Sequence, residues 1–195
     1  MTVIALAGDL LVTRGLSAHT GELAPVTSCF RAADCGFGNL ETLLHDFQFP
    51  PMPASGGTWL RSPPAAAQEL KVLGFSLVSL ANNHAMDYGW GALGATMSAL
   101  DDAGIAHSGA GADLGEARAP AYLETSGGRI ALVSVTTAYT PFQPASAAGH
   151  GIPGRPGSFC IRSEVSHTVP GEDYATLRRM QEALTGRPRR APACS

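Results

Sequence analysis

Positive charge is scarce in this chain: 13 Lys and Arg stand against 16 Asp and Glu over 195 residues, a net charge of −3. The first basic run is Arg187-Pro188-Arg189-Arg190, near the end. Nucleic acids are bound through clustered Lys and Arg, so no nucleic-acid partner is expected. Charge of either sign is thin, at 15% of residues, whereas 45% are apolar. That balance argues against disorder along the whole chain. The four cysteines, Cys29, Cys35, Cys160 and Cys194, show no Cys-x-x-Cys spacing, which argues against zinc knuckles, ribbons and a disulfide scaffold. Cys29 and Cys35 read as ordinary reduced thiols. The opening Met1-Thr2-Val3-Ile4-Ala5-Leu6-Ala7 has no basic residues and is too short for a signal peptide or a membrane span. The expectation is a cytoplasmic protein with no transmembrane segment, whose association with a membrane or cell surface would run through partners. No internal repeat is present, which sets aside solenoids and propellers.

What is present fits one α/β domain over residues 1–186, followed by a tail over 187–195 without periodic signal. Glycine and proline, at 23 and 14, foretell many loops. Residues 2–7 read as a first strand, followed by a loop-rich stretch to about Arg31 and a short strand over 33–38. Residues 50–57 are a loop by composition. A helix over 62–73 is expected, with Ser62 as N-cap and Gly74 as stop. Gly74-Phe75-Ser76-Leu77-Val78-Ser79-Leu80 reads as a buried strand. A helix over 90–103 ends at Gly104, a short strand covers 105–108, and residues 121–136 form a hairpin around Gly127-Gly128. Gly109-Ala110-Gly111-Ala112-Asp113 matches no phosphate-loop pattern and reads as a turn. The stretch 141–156 is loop-like, and 171–184 is an amphipathic helix.

Three polar clusters follow strands: Gly8-Asp9, Asn39-Leu40-Glu41, and Asn82-Asn83-His84 with Asp87. In open α/β sheets the carboxyl ends of strands are where ligands bind. Carboxylate, carboxamide and imidazole suit Mn, Fe or Zn, and a bridging carboxylate can hold two ions close together. Asp9, Glu41 and Asn83 are the candidate metal ligands, His84 the candidate proton donor to a leaving oxygen, and Asn39, Asn82 and Asp87 the supporting residues. Each has a plainer reading. Gly8-Asp9 makes a turn, Glu41 sits in a first helical turn, the Asn-Asn-His run is a hydrogen-bond network holding a loop, and Asp87 caps the following helix.

Taken in order, the blocks Gly8-Asp9, Ala33-Asp34 with Asn39-Leu40-Glu41, and Ala81-Asn82-Asn83-His84-Ala85-Met86-Asp87-Tyr88-Gly89 resemble the bacterial capsule synthesis proteins of CapA type. Gly104-Ile105, Gly109-Ala110-Gly111 and Glu116-Ala117 with Pro120 continue the likeness. The resemblance implies a calcineurin-like metallophosphoesterase fold, a sandwich of mixed sheets flanked by helices. It also implies a role in capsule or poly-γ-glutamate synthesis, divalent metal ions, and partners among polymer-synthesis components or an anionic polymer. Asp9, Glu41, Asn83 and His84 are the positions matching metal and catalytic motifs. Asp9 is followed by Leu10-Leu11, where ordinary metallophosphoesterases carry Asp-x-His. The likeness covers the family's N-terminal portion, and the later His-Trp-Gly-x-Glu and Gly-His-x-Pro-His blocks are absent. An incomplete sandwich and metal site are therefore expected, in a truncated or frameshifted product.

Overall fold

Four parallel strands form the central sheet: β1 (Ile4–Leu10), β2 (Cys35–Leu40), and two shorter ones that follow a Pro- and Gly-rich excursion. The computed structural model describes residues 1–55, 57–137, 140–163, 168 and 170–185. Between β1 and β2 runs helix α1 (Thr20–Ala32). After β2 come β3 (Leu43–Leu44), β4 (Arg61–Ser62) and α2 (Ala65–Leu73), then β5 (Leu77–Ser79), α3 (Gly89–Asp102) and β6 (Ala106–Ser108). The spatial order is β1-β2-β5-β6. Next are β7 (Ala110–Gly111), α4 (Leu114–Ala117), the antiparallel hairpin β8 (Ala121–Thr125) and β9 (Gly128–Leu132), and β10 (Gly157–Ser158), which pairs with β7. The architecture is α/β, a parallel sheet flanked by helices. By internal packing the chain falls into two units, Met1–Arg162 and Ser163–Ser195. In the second, α5 (Gly171–Thr185) matches the expected amphipathic helix; the expected tail at 187–195 lies outside the described residues. Among the described residues no helix is long and apolar enough to cross a membrane.

The strongly apolar segments build the core of the first unit. Leu44, Leu70, Val78, Leu93, Leu100 and Ile105 are fully buried there. Phe30 of α1 stacks at a tilt on Phe75, ring centroids 4.6 Å apart. Gly74 closes α2 as expected: its φ of +109° is left-handed backbone, and its N–H returns to the carbonyls of Leu70 and Lys71.

Several expectations are corrected. The stretch before Arg31 is helical from Thr20. Only Leu23, Thr27 and Phe30 turn inward there, a stripe too narrow and too polar to show as periodicity, and Pro25 sits inside the helix. Ser62 does not cap α2; it is the second residue of β4, fully buried, and Pro64 occupies the N-cap. Asp87 does not cap α3, whose N-cap is Tyr88 without a side-chain bond. Ala110 and Gly111 are strand, not turn, because β10 pairs with them from a segment 46 residues further on, and Asp113 caps α4 through Glu116 N.

Beside the core, His45 is completely buried between the rings of Tyr88 and Phe49, at 4.5 and 5.7 Å. Among the described residues, neither of its ring nitrogens has a hydrogen-bond partner. Burial, and then the Arg61 charge, hold its pKa below the ordinary histidine value. The unfolded chain therefore takes up a proton that the folded chain refuses, and stability falls as pH drops below the ordinary value. His45→Phe should flatten this acid limb in denaturant titrations followed from neutral to mildly acidic pH. An unchanged slope would show that His45 is not what the acid acts on.

Candidate functional site

One irregularity in the sheet sets the outer edge of the site. Leu6 pairs with Phe37, but the next partners are Asp9 and Asn39, so β1 carries one more residue than β2 over this stretch. Side chains alternate faces along a strand, and an unbulged β1 would set Gly8 opposite Asn39 and turn Asp9 to the other side with the buried Leu40. The bulge puts Asp9 on the face of Asn39. Asp9 thus sits within the end of β1, not in a turn after it.

Asn39 then joins the two carboxylates. Its Nδ2 donates to Asp9 Oδ1 at 2.9 Å and to Glu41 Oε1 at 3.0 Å, while its Oδ1 accepts from Asn82 Nδ2 at 3.2 Å. Asn82 Nδ2 also donates to the Leu40 carbonyl at 2.9 Å, and Asn82 Oδ1 accepts the His84 N–H at 3.0 Å. Two carboxamides thereby use all four of their amide protons in tying the ends of β1 and β2 to the turn after β5. A buried polar run must find partners, and here the partners are one another.

The turn 81–88 reverses the chain between β5 and α3, with Asp87 N bonded to His84 O and Gly89 N to Met86 O, both at 3.0 Å. At this i, i+3 spacing His84 Nδ1 meets Asp87 Oδ2 at 2.9 Å. Asp87 is 1% exposed, and its carboxylate also accepts from Leu60 N and Ser55 Oγ, each at 2.9 Å. The other ring nitrogen, Nε2, lies 4.0 Å from Glu41 Oε2. Glu41 is held above the ordinary carboxylate pKa, first by burial and next by the Asp9 charge, against the opposing pull of His84 and the Asn39 amide.

The structure therefore joins Asp9, Asn39, Glu41, Asn82, His84 and Asp87 in one connected group graded from exposed Asp9 to buried Asp87. Asn83 is half-buried in the same turn. Among the described residues no three His, Cys, Asp or Glu side chains are arranged to share an ion. Two participants went unseen in the sequence. Gln143, buried to 1%, donates through Nε2 to the Asn82 carbonyl at 2.7 Å, and Ser55 holds Asp87. Both come from loop-like stretches whose composition carries no periodic pattern to point inward.

Two uncharacterized proteins of Sinorhizobium fredii, y4uA and y4sH, are each 37% identical to this chain over 187 residues. The alignment covers 94% of this chain and 40% of each relative, so the chain spans well under half of their length. A probable polyglutamine synthesis accessory protein of Mycobacterium tuberculosis is 36% identical over 99 residues, covering 51% of this chain and 26% of that protein. The family described as bacterial capsule synthesis protein PGA_cap matches residues 3–185. With nearly the whole chain matched, from β1 through α5, this protein belongs to the bacterial capsule synthesis family PGA_cap.

Proposed function

We propose that this chain serves the synthesis of an anionic capsule polymer, of poly-γ-glutamate type, through a divalent-ion-dependent hydrolase site of phosphoesterase kind. The observation that carries this reading is the single Asn39 amide holding the Asp9 and Glu41 carboxylates side by side, with His84 Nε2 at their margin. Glu41 resists ionisation first through burial and next through the Asp9 charge, and a cation between the two carboxylates would relieve the repulsive part. The donors fit a divalent ion: Asp9, Glu41 and the Asn83 carboxamide offer oxygen, which suits Mn and which Fe or Zn also accept from carboxylates. A bound ion would supply charge neutralisation and water activation there. The Asp87 carboxylate faces three donors, so it keeps the proton of a neutral His84 on Nδ1. Once protonated, the ring presents Nε2–H as the donor to a leaving oxygen.

The test is calorimetric titration of Mn2+ into the metal-stripped chain, together with hydrolysis of a chromogenic phosphodiester. Stoichiometric binding lost in Asn83→Ala, and a rate lowered about 10²–10⁴-fold in His84→Gln, are the expected results. An absence of Mn2+ binding by the wild-type chain would defeat the reading. A second reading is a non-catalytic component that binds polymer or helps assembly. It is favoured by the absence, among the described residues, of three His, Cys, Asp or Glu side chains placed to share an ion. Capture of poly-γ-glutamate by metal-stripped protein, without hydrolysis in any metal, would support it.

A further inference from the structure

The stretch between Pro50 and Leu60 is poor in regular structure, yet its hydrogen bonds converge on one residue. Met52 N donates to the Asp87 carbonyl at 2.8 Å, Ser55 Oγ to Asp87 Oδ1 at 2.9 Å, and Leu60 N to Asp87 Oδ2 at 2.9 Å. The loop is tied to itself by Trp59 Nε1, which donates to the Met52 carbonyl at 2.9 Å. It also crosses the imidazole: a Cβ on Gly57 would lie 3.9 Å from His84 Cε1.

We propose that this loop is a clamp that orients the His84–Asp87 pair and that Ser55 is its positioning residue. The direction of its hydrogen bonds carries the argument. Ser55 Oγ accepts the Gly57 N–H at 3.2 Å, so its own proton is turned toward Asp87 Oδ1. With Ser55 on one oxygen and Leu60 N on the other, the carboxylate plane is fixed. Oδ2, which holds Leu60 N, also faces the ring and takes the His84 Nδ1–H. The ring is thereby held in one tautomer, with Nε2 toward Glu41. A carboxylate oriented by other donors is the usual means of fixing an imidazole's tautomer and tilt. The hydrogen bonds of Ser55 go to Asp87 and Gly57, so it acts through Asp87. For turnover, the proposal rests on the reading of His84 as the acid, whereas the ring's orientation stands independently of it.

The experiment compares wild type, Ser55→Ala and Ser55→Thr, all metal-stripped and at one fixed alkaline pH, through the ring 15N shifts of His84. Wild type and Ser55→Thr should show predominantly the Nδ1–H tautomer. Ser55→Ala should lower the tautomer ratio by about three- to tenfold, the effect of one ordinary hydrogen bond. If the site hydrolyses phosphodiesters, kcat falls in Ser55→Ala with KM unchanged and recovers in Ser55→Thr. A shifted tautomer in a chain that hydrolyses nothing upholds the clamp and removes the hydrolase reading. Ser55→Ala shifts identical to wild type, or a Thr variant as altered as the Ala variant, would overturn the clamp.

Discussion

Gly109→Ala should lower the thermal unfolding midpoint by roughly 4–20 °C, among the largest effects of any single methyl group in this protein. Gly109 follows β6, and its φ of +98° is a left-handed conformation that an L side chain adopts only at a cost of about 1–2 kcal/mol. Space is lacking as well. An added Cβ would lie 2.6 Å from Ala81 Cβ, 2.7 Å from Ser134 Cβ and 2.9 Å from the Ala81 nitrogen. Overpacking of this kind adds about 1–3 kcal/mol, for a total of roughly 2–5 kcal/mol. The clash is local to the site, because Ala81 immediately precedes Asn82 and the Gly109 carbonyl accepts Phe159 N at 2.8 Å. Relief by moving Ala81 would drag the Asn82 amides off Asn39 and Leu40, so the proposed Mn2+ binding should weaken with stability. Gly94→Ala is the matched control. Gly94 lies inside α3 with nothing within 4 Å of its missing Cβ, and alanine there should stabilise by about 0.5–1 kcal/mol. Calorimetry of the two variants decides the matter. Equal midpoints would mean that the turn at Gly109 yields freely.

Asp87→Ala is expected to cost on the order of 3–5 kcal/mol, the range for stripping one partner from a buried charged group, and to lower the midpoint by roughly 6–20 °C. Three donors lose their acceptor at once: Leu60 N, Ser55 Oγ and His84 Nδ1. The Ser55 hydroxyl can rotate and the imidazole can change tautomer, but Leu60 N cannot find another partner without moving backbone. Asp87→Asn should be much milder, about 1 kcal/mol, since its carbonyl oxygen can keep Leu60 N and the imidazole while its amide faces the rotatable Ser55 hydroxyl. Chemical denaturation of both variants separates loss of shape from loss of acceptor. If Asn is as damaging as Ala, the negative charge is what the loop requires.

Much of the fold could be read from local pattern. Gly74 and Gly104 end α2 and α3 as expected, at φ of +109° and +64°, because helix stops are written in one residue and its neighbours. The Asn82-Asn83-His84 block announced itself for a related reason: three polar side chains directly after a buried run have to be satisfied somewhere. What stayed hidden depends on contacts far apart in sequence. Helix α1 is secured by Phe30 packing on Phe75 and by Arg31 Nε donating to the Val72 carbonyl at 2.8 Å. Its own residues give only a narrow apolar stripe. Ser55 and Gln143 reach the site from 32 and 61 residues away in the chain, and nothing adjacent to either marks it as inward-facing. Asp87 had a local alternative, the cap of α3, and tertiary partners outweighed it.

The extra residue in β1 has a dynamic consequence. Between the Leu6–Phe37 and Asp9–Asn39 pairs the ladder is interrupted, so the last residues of β1 are joined to the sheet less continuously than the three that begin it. A strand interrupted in this way opens in pieces, and the piece beyond the bulge can detach while Ile4, Ala5 and Leu6 stay paired. Amide exchange at Asp9 and Leu10 then follows a local opening and not the unfolding of the domain. The outermost carboxylate of the site rides on that segment, so the Asp9 side can open while the His84–Asp87 side remains closed.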